Sequence, residues 1–587
     1  MRMILRSLGT AMLLSLASAA PAASQSPPQE AARNATLEQL VIEYEALVRA
    51  IDPAEAARAQ NRSPDRWADI SPERVARTAR QARSLRGRLQ SIEDKSTPEW
   101  KILSHLLDRL ISADRFDTAR VPFNGDWGFQ AAPLFAARQL RIETEADAEA
   151  WVARLEDLPR YFEGHVENMR RGIETGWTAH SDPLATTMAQ IEEQAALSPE
   201  NSPLYAPLIE LPASIDAETA ESLRSRGREA VAAAIDAYRG ALEFFETDYV
   251  PAAREEPGVG SLPSGRAYYR DAIQNHTAGA GYSPEEIHEL GLGEVARIRA
   301  GMDEIIAEIG YDGSFEDFQA FLRSDPQFYA ETPEDLMEKA ARLSKRLDAL
   351  LPRYFATLPR LTYGVEDVPA DIAPGYTTGR YASGDPEKGI AGTYLVNTYA
   401  LDQRPLYELP ALSAHEAVPG HHLQISLAQE MENVPRFRQD YYATAFGEGW
   451  GLYAEKLAGE AGFYETPYER FGQLSYEMWR ACRLVADTGL HWYGWSREEA
   501  EACFLENSAL SPLNIETEVT RYIGWPGQAT AYKVGELKIL ELREIAREAL
   551  GEDFDIRTFH DAVLGAGSLP LDALEARIAD WIDTQLE

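Results

Sequence analysis

The stretch Ala414-His415-Glu416-Ala417-Val418-Pro419-Gly420-His421-His422-Leu423 decides how the rest of the chain is read. It gathers three of the ten histidines, with a carboxylate directly after the first, and such clustering points to a metal site. Two imidazoles one helical turn apart with a Glu beside the first put two ligands and a base on one helix face, the arrangement of zinc hydrolases. Here position i+4 from His415 is Pro419, and no second ligand stands there. His422, at i+7, returns to the same face but about 10.5 Å further along the axis, too far to share one ion. A deformed backbone is therefore expected. Proline removes a helical N–H and glycine tolerates unusual dihedrals, so Pro419-Gly420 reads as a two-residue bulge that carries His421 to the second ligand position, with His422 as the alternative ligand.

The chain begins with an address. Arginines in Met1 to Arg6, an apolar run from Leu8 to Leu16 and the small residues Ala17-Ser18-Ala19-Ala20-Pro21-Ala22 form the pattern of a cleavable signal peptide over residues 1–23. Export to the periplasm or medium is expected. No cysteine follows the apolar run and no later stretch is apolar enough to span a bilayer, so neither a lipid anchor nor membrane insertion is expected. The 587 residues, 45% of them hydrophobic, with 11 Trp, can bury a large core. A net charge of −37 argues against nucleic acid and anionic membrane as partners, since both require a basic surface. Cys482 and Cys503 could pair in an oxidising compartment, and a chain of this size does not depend on the bridge.

From about residue 24 to 255 apolar residues recur three and four apart, as in Leu37, Leu40, Val41, Tyr44 and Leu47, and read as an N-terminal helical region. The turn-rich run from Glu255 to Gly265 marks the boundary with a second region, 256–587, which holds the chemistry. Ser283-Pro284-Glu285-Glu286 opens a helix that Gly310 closes, and Thr332-Pro333-Glu334-Asp335 opens another. Between Pro369 and Asn397, short β-rich runs separated by turn residues predict a small antiparallel sheet.

His415-Glu416-x-x-Pro419-Gly420-His421-His422-Leu423-Gln424, followed by Gly447-Glu448-Gly449-Trp450-Gly451-Leu452-Tyr453-Ala454-Glu455, resembles the bacterial "domain of unknown function 885" family, a distant relative of the glutamate-zincin peptidases. The likeness extends through Arg521-Tyr522-Ile523-Gly524-Trp525-Pro526-Gly527-Gln528 to Lys533 and the Phe559-His560-Asp561 region. It implies a mainly helical, zinc-peptidase-like fold with a deep cleft and a small sheet beside the metal helix. It also implies one zinc per chain held by His415, His421 and Glu448; Glu455, seven residues further on and so about 10.5 Å along the same helix face, suits a supporting or substrate-facing role. An edge strand at Gly392 to Asn397, carrying Tyr394, is the implied substrate-binding strand. Tyr532 is the implied donor to a forming oxyanion, His491 its helper and Arg521 the implied anchor for a substrate carboxylate, with Tyr522 beside it among the substrate-binding residues.

The expected reaction is hydrolysis of short or unfolded peptides by a metal-activated water, with Glu416 as general base. Two alternatives share the site: a peptide- or metal-binding protein in which the Pro-Gly insertion misplaces Glu416, and a zinc hydrolase of other amides or esters. Oligomeric state and the end from which a peptide would be cut are not written in any motif.

Overall fold

The structure, a computed structural model, describes residues 36–125, 127–370, 373, 377–386, 388–432 and 434–587. The expected signal segment, and Gly375 and Tyr376 of the β-rich run, lie outside the described residues. Three helices, α1 (Leu37–Ile51), α2 (Pro72–Leu89) and α3 (Pro98–Phe116), open the fold. Each starts at a Thr or Ser whose hydroxyl accepts from the backbone N–H three residues on. A long helix, α4 (Ala217–Phe244), runs through a separate apolar core built on Trp151, Tyr238 and Phe245. In α5 (Pro284–Ile309) Ser283 and Glu286 cap each other reciprocally, and Gly310, at φ 74°, ends the helix in the left-handed region open to glycine. The largest core draws on both sides of residue 255, joining Leu40, Leu85 and Leu103 to Ile298, Trp450 and Phe559.

The sheet is small and mixed. Strands β1 (Tyr363–Asp367), β2 (Gly379–Ala382) and β3 (Gly392–Val396) lie in the order β1-β3-β2, with β1 parallel and β2 antiparallel to β3. This corrects the expected antiparallel sheet, and it moves the edge. β3 is the central strand, so its N–H and C=O groups are already shared with neighbours on both sides. The segment Gly392 to Asn397 therefore has no open edge to offer a substrate. Its alternate side chains face inward too. A Cβ on Gly392 would fall 2.2 Å from the Tyr381 hydroxyl. Tyr394 is fully buried with its hydroxyl 3.4 Å from Ser413 Oγ, and Asn397 donates from Nδ2 to Ala373 O at 2.9 Å.

The open edge belongs to β2. Asn397 N–H donates to Thr378 O at 3.0 Å, and hydrogen-bonded pairs alternate along an antiparallel ladder. Tyr381, three residues on and paired with Tyr394, consequently turns its N–H and C=O away from β3. Against that edge lie two short helices, α6 (Leu409–Glu416) and α7 (His421–Gln429). Behind them run α8 (Thr444–Glu460), α9 (Pro467–Thr488), α10 (Pro512–Gly524) and α11 (Ala531–Leu550). A Cys482–Cys503 disulfide ties α9 to the helix Arg497–Asn507. Helices α8 and α11 cross at glycines: a Cβ on Gly449 would lie 2.4 Å from the Gly535 carbonyl carbon, and one on Gly535 would lie 1.8 Å from Ala445 O. Only glycine permits so close a backbone approach.

Candidate metal centre

Helix α6 stops at Glu416 and α7 restarts at His421. Between them Ala417 (φ −88°, ψ −112°) and Gly420 (φ −77°, ψ −128°) leave the helical region, and the Val418–Pro419 bond is cis. The expected bulge within one helix is thus a full break between two helices, with the same outcome for His421. The break is pinned from both sides. Trp450 of α8, fully buried, donates from Nε1 to Pro419 O at 2.8 Å, and His422 N–H donates to Ala417 O at 3.1 Å.

The break swings the His421 ring towards His415, 4.7 Å between centroids, and α8 brings Glu448 up to both. Glu448 Oε2 lies 3.6 Å from His415 Nε2 and 3.5 Å from His421 Nε2, and one ligand atom from each residue falls within 4.8 Å of the others. These separations exceed the roughly 2.7–3.2 Å of an N–H···O hydrogen bond. They approach the edge of about 3.4 Å expected of a tetrahedron with metal–ligand bonds near 2.1 Å. Two imidazole nitrogens and one carboxylate oxygen, converging in a mostly buried recess, are a donor set and a spacing that fit zinc with one position left over.

Neighbouring groups fix the ligands' orientation. His415 Nδ1 lies 2.8 Å from Glu455 Oε1, a contact that leaves the Nε2 of a neutral ring facing the cluster as a ligand. Glu455, seven residues after Glu448 on the same face of α8, is itself 3.7 Å from Arg480. Burial alone would depress the His415 pKa, but Glu448 and Glu455 outweigh it and lift it to about 9. Burial likewise opposes ionisation of Glu448, and the two imidazoles overcome it, holding the carboxyl well below the usual range. Gly451 is needed beside them, since a Cβ there would sit 2.4 Å from His415 Cε1. Replacing Glu455 by Gln is expected to weaken zinc affinity by about 10–100-fold, because the partner that sets the His415 tautomer loses its charge; a competitive chelator titration reads this directly.

His422 is engaged elsewhere. Its Nε2–H donates to Leu361 O at 3.1 Å, while Nδ1 faces the Tyr381 hydroxyl at 3.0 Å and Ser426 Oγ at 3.2 Å. Burial lowers its pKa to about 4, so the ring is a neutral tie between α7 and the sheet. His422→Ala is expected to keep full metal content and to cost about 1–3 kcal/mol of stability through unpaired neighbours, read as a lower melting temperature at unchanged zinc stoichiometry. Glu416, 8% exposed, accepts the Tyr381 N–H on Oε2 at 2.7 Å, so the open edge of β2 and this carboxylate meet.

The other expected residues are placed as follows. His491 is fully buried; Nδ1 accepts from Val259 N–H at 3.1 Å and Nε2 donates to Tyr522 O at 3.0 Å, so main chain occupies both nitrogens. Tyr522, 1% exposed, donates to Glu518 at 2.7 Å and accepts from Arg483 Nε at 3.0 Å and Trp479 Nε1 at 3.2 Å. Its hydroxyl is saturated within the protein. Arg521 donates to Gln528 Oε1 at 2.9 Å and leans on Glu518 at 3.5 Å. Tyr532, half-buried, stacks on Arg483, 4.3 Å from guanidinium carbon to ring centroid.

Sequence reasoning missed Tyr442. Its hydroxyl end packs on the buried Gly447, where a Cβ would lie 2.1 Å from the oxygen, while the outer ring leaves the residue 42% exposed. The protein packed around the phenol, and then the charges of Glu448, Tyr532 and Glu416, hold its pKa well above that of an ordinary tyrosine. Tyr442 is therefore a neutral phenol packed on the residue next to Glu448. Its one sequence signal was position, two residues before the helix that carries Glu448, and 26 tyrosines diluted that signal.

Residues 53–578 match the family described as bacterial protein of unknown function, DUF885. The chain belongs to the DUF885 family. Among solved structures, the fold is similar to a protein from Colwellia psychrerythraea provisionally described as a lipoprotein, with a TM-score of 0.84 and 27% identity over 94% of this chain and 100% of that one. A protein of unknown function from Shewanella oneidensis, also provisionally described as a lipoprotein, shares the fold at a TM-score of 0.72 and 17% identity, again over 94% and 100%. No curated protein matches the chain. Among the described residues no helix is long and apolar enough to cross a membrane.

Proposed function

We propose that this DUF885 chain is a zinc-dependent peptidase that hydrolyses peptide bonds of short or unfolded peptides. The observation that carries the reading is the convergence of His415, His421 and Glu448 directly beside Glu416. Zinc held there would supply a Lewis acid that polarises the substrate carbonyl and acidifies water. Glu416 would accept the proton at Oε1 and pass it to the leaving amine, its other oxygen being steadied by Tyr381 N–H. An extended peptide laid along β2 would take hydrogen bonds from the outward-facing main chain of Gly379 and Tyr381, displacing or sharing the bond to Glu416. Tyr442 and Tyr532 would donate to the oxygen on which negative charge develops. His415 and His421 are only 3% and 7% exposed, which would favour a flexible strand over the surface of a folded protein as substrate. Export to an oxidising compartment suits the Cys482–Cys503 bridge.

A second reading, peptide binding without turnover, is favoured by one contact: Tyr381 N–H already occupies Glu416 Oε2. The deciding experiment compares wild type with Glu416→Gln on a peptide library, with zinc content measured on both. Turnover lost by about 10²–10⁴-fold at equal zinc supports the peptidase. Zinc absent after reconstitution, or cleavage unaffected by Glu416→Gln, would refute it, and peptide binding with no cleavage by wild type would select the second reading.

A further inference from the structure

We propose that the cavity where residues 118–123 and 177–183 meet Arg254 and the end of α10 binds a short-chain monocarboxylate. It measures about 80 Å³, the space of about three waters at roughly 30 Å³ each and room for an acid of about three carbons. Most of its wall is apolar, with Val121, Phe123, Trp177, Val259 and Ile523 on it. Arg254 also lines it, and among the described residues no Asp or Glu does, in a chain whose net charge is −37. The hydrogen-bond partners of Arg254 are all main-chain carbonyls. Nε donates to Glu256 O at 3.0 Å, Nη1 to Thr178 O at 3.0 Å, and Nη2 to Pro257 O at 2.8 Å and Ile523 O at 3.2 Å. A guanidinium has five N–H groups, so one on Nη1 is left over. No carboxylate of the described residues forms an ion pair with this charge. Asp182 is paired with Arg497, Asp271 accepts from the Ser112 hydroxyl, and Glu256 stands exposed. His180 is neutral and engaged at both nitrogens: Nδ1 accepts from Asp182 N–H and Nε2 donates to Glu255 O, both at 3.2 Å. Burial accordingly outweighs Tyr249, Tyr268 and Glu256 and draws the Arg254 pKa down to about 10, as a guanidinium short of counter-charge must show.

The wall selects the ligand. The hydroxyls of Thr118 and Tyr268 belong to it and have no hydrogen-bond partner among the described residues. Burial, offset only in part by Arg254, lifts the Tyr268 phenol to about 12, so it stands ready as a donor at neutral pH. Trp177 meets the Tyr268 ring edge to face, 5.0 Å between centroids, and holds the phenol in place. A carboxylate has the lone pairs for these hydroxyls and the charge for Arg254. An amide of the same shape would leave the guanidinium uncompensated, and a phosphate would bring a second negative charge into an apolar recess. Arg254 already ties Thr178 to Ile523 of α10, so an occupied cavity would fasten the N-terminal region more firmly to the second. None of His415, His421, Glu448 and Glu416 lines it, and the inference stands apart from the peptidase reading.

The test uses the full mature chain, loaded with zinc and, in parallel, treated with chelator, because a carboxylate also binds an open zinc. Ligand-detected NMR titrations compare propionate with propionamide. Propionate is expected to bind at least about tenfold more tightly, equally in both preparations, and to raise the melting temperature. Tyr268→Phe, which removes one hydroxyl from a packed ring, is expected to weaken propionate by about fivefold or more at an unchanged melting temperature of the free protein. Arg254→Met is expected to bring acid and amide within about twofold; should it not fold, Tyr268→Phe and Thr118→Val carry the comparison. Absent binding, equal affinity for acid and amide, binding abolished by chelation, or affinity unchanged in folded Tyr268→Phe each overturns the site. The peptidase reading is judged separately, by zinc content and cleavage.

Discussion

Glu448→Ala is expected to lower zinc content from about one per chain to below about one tenth after identical dialysis, because a ligand is lost outright, where loss of a group one bond further out typically weakens affinity by about 10–100-fold. Glu448 is the sole negative charge among the three converging ligands, and it sits 3.5–3.6 Å from both imidazole nitrogens. Removing it leaves two neutral donors, too few for a stable catalytic site. It also removes the group that, with Glu455, supports His415 against burial, so the recess attracts a cation less strongly. His421→Ala should behave in the same way and His422→Ala should not, because the His422 ring is bonded to Leu361 and Tyr381 instead. Elemental mass spectrometry on the four proteins gives the answer in one experiment. Full zinc in Glu448→Ala would mean that the metal, if any, is held elsewhere.

Gly420→Ala is expected to have the largest structural effect, a loss of about 3 kcal/mol or more together with weakened zinc binding in whatever protein remains soluble. The penalty has a steric source. The added methyl would lie 1.9 Å from His415 O and 2.5 Å from Ala414 O. These are main-chain atoms of α6 and cannot swing aside as a side chain would. The end of α6 and the start of α7 would have to separate, and that distance sets how far His421 stands from His415. Gly240→Ala is the matched control: it lies inside α4 with nothing within 4 Å of the new methyl, and should stabilise slightly, by up to about 1 kcal/mol. Thermal melts of the two variants separate the clash from the generic effect of a lost glycine.

What could be read from the sequence followed the range of the interactions involved. Caps and stops are local: Ser283, Gly310 and Thr332 mark helix ends that the structure places where the residues suggest. The deformation at Pro419-Gly420 was legible because no ligand can stand at Pro419, whereas the choice of His421 over His422 and the part of Glu448 came from the resemblance to the family's motifs. Strand order was not legible. Three short strands of similar composition can be arranged several ways, and the pairing of β1 with β3 in parallel is a long-range choice that no turn residue announces. That is why Gly392 to Asn397 was assigned an edge it does not possess. His491 and Tyr522 illustrate a second limit. A histidine and a tyrosine in a motif look alike whether they face a cleft or satisfy the backbone of a buried turn, and only their partners, Val259 N–H and Glu518, tell the two apart.

The glycine crossing of α8 and α11 has a consequence for how this site tolerates change. Glu448 precedes Gly449 directly, and Tyr532 stands three residues before Gly535. The spacing between the ligand and the phenol is therefore set by one main chain resting on another, as a hinge pin sets two plates, and not by the volumes of the side chains around them. Substitutions in the apolar surroundings can then loosen or tighten the molecule as a whole while the two groups keep their separation. Robustness of the fold and accuracy of the site are, at this crossing, assigned to different atoms.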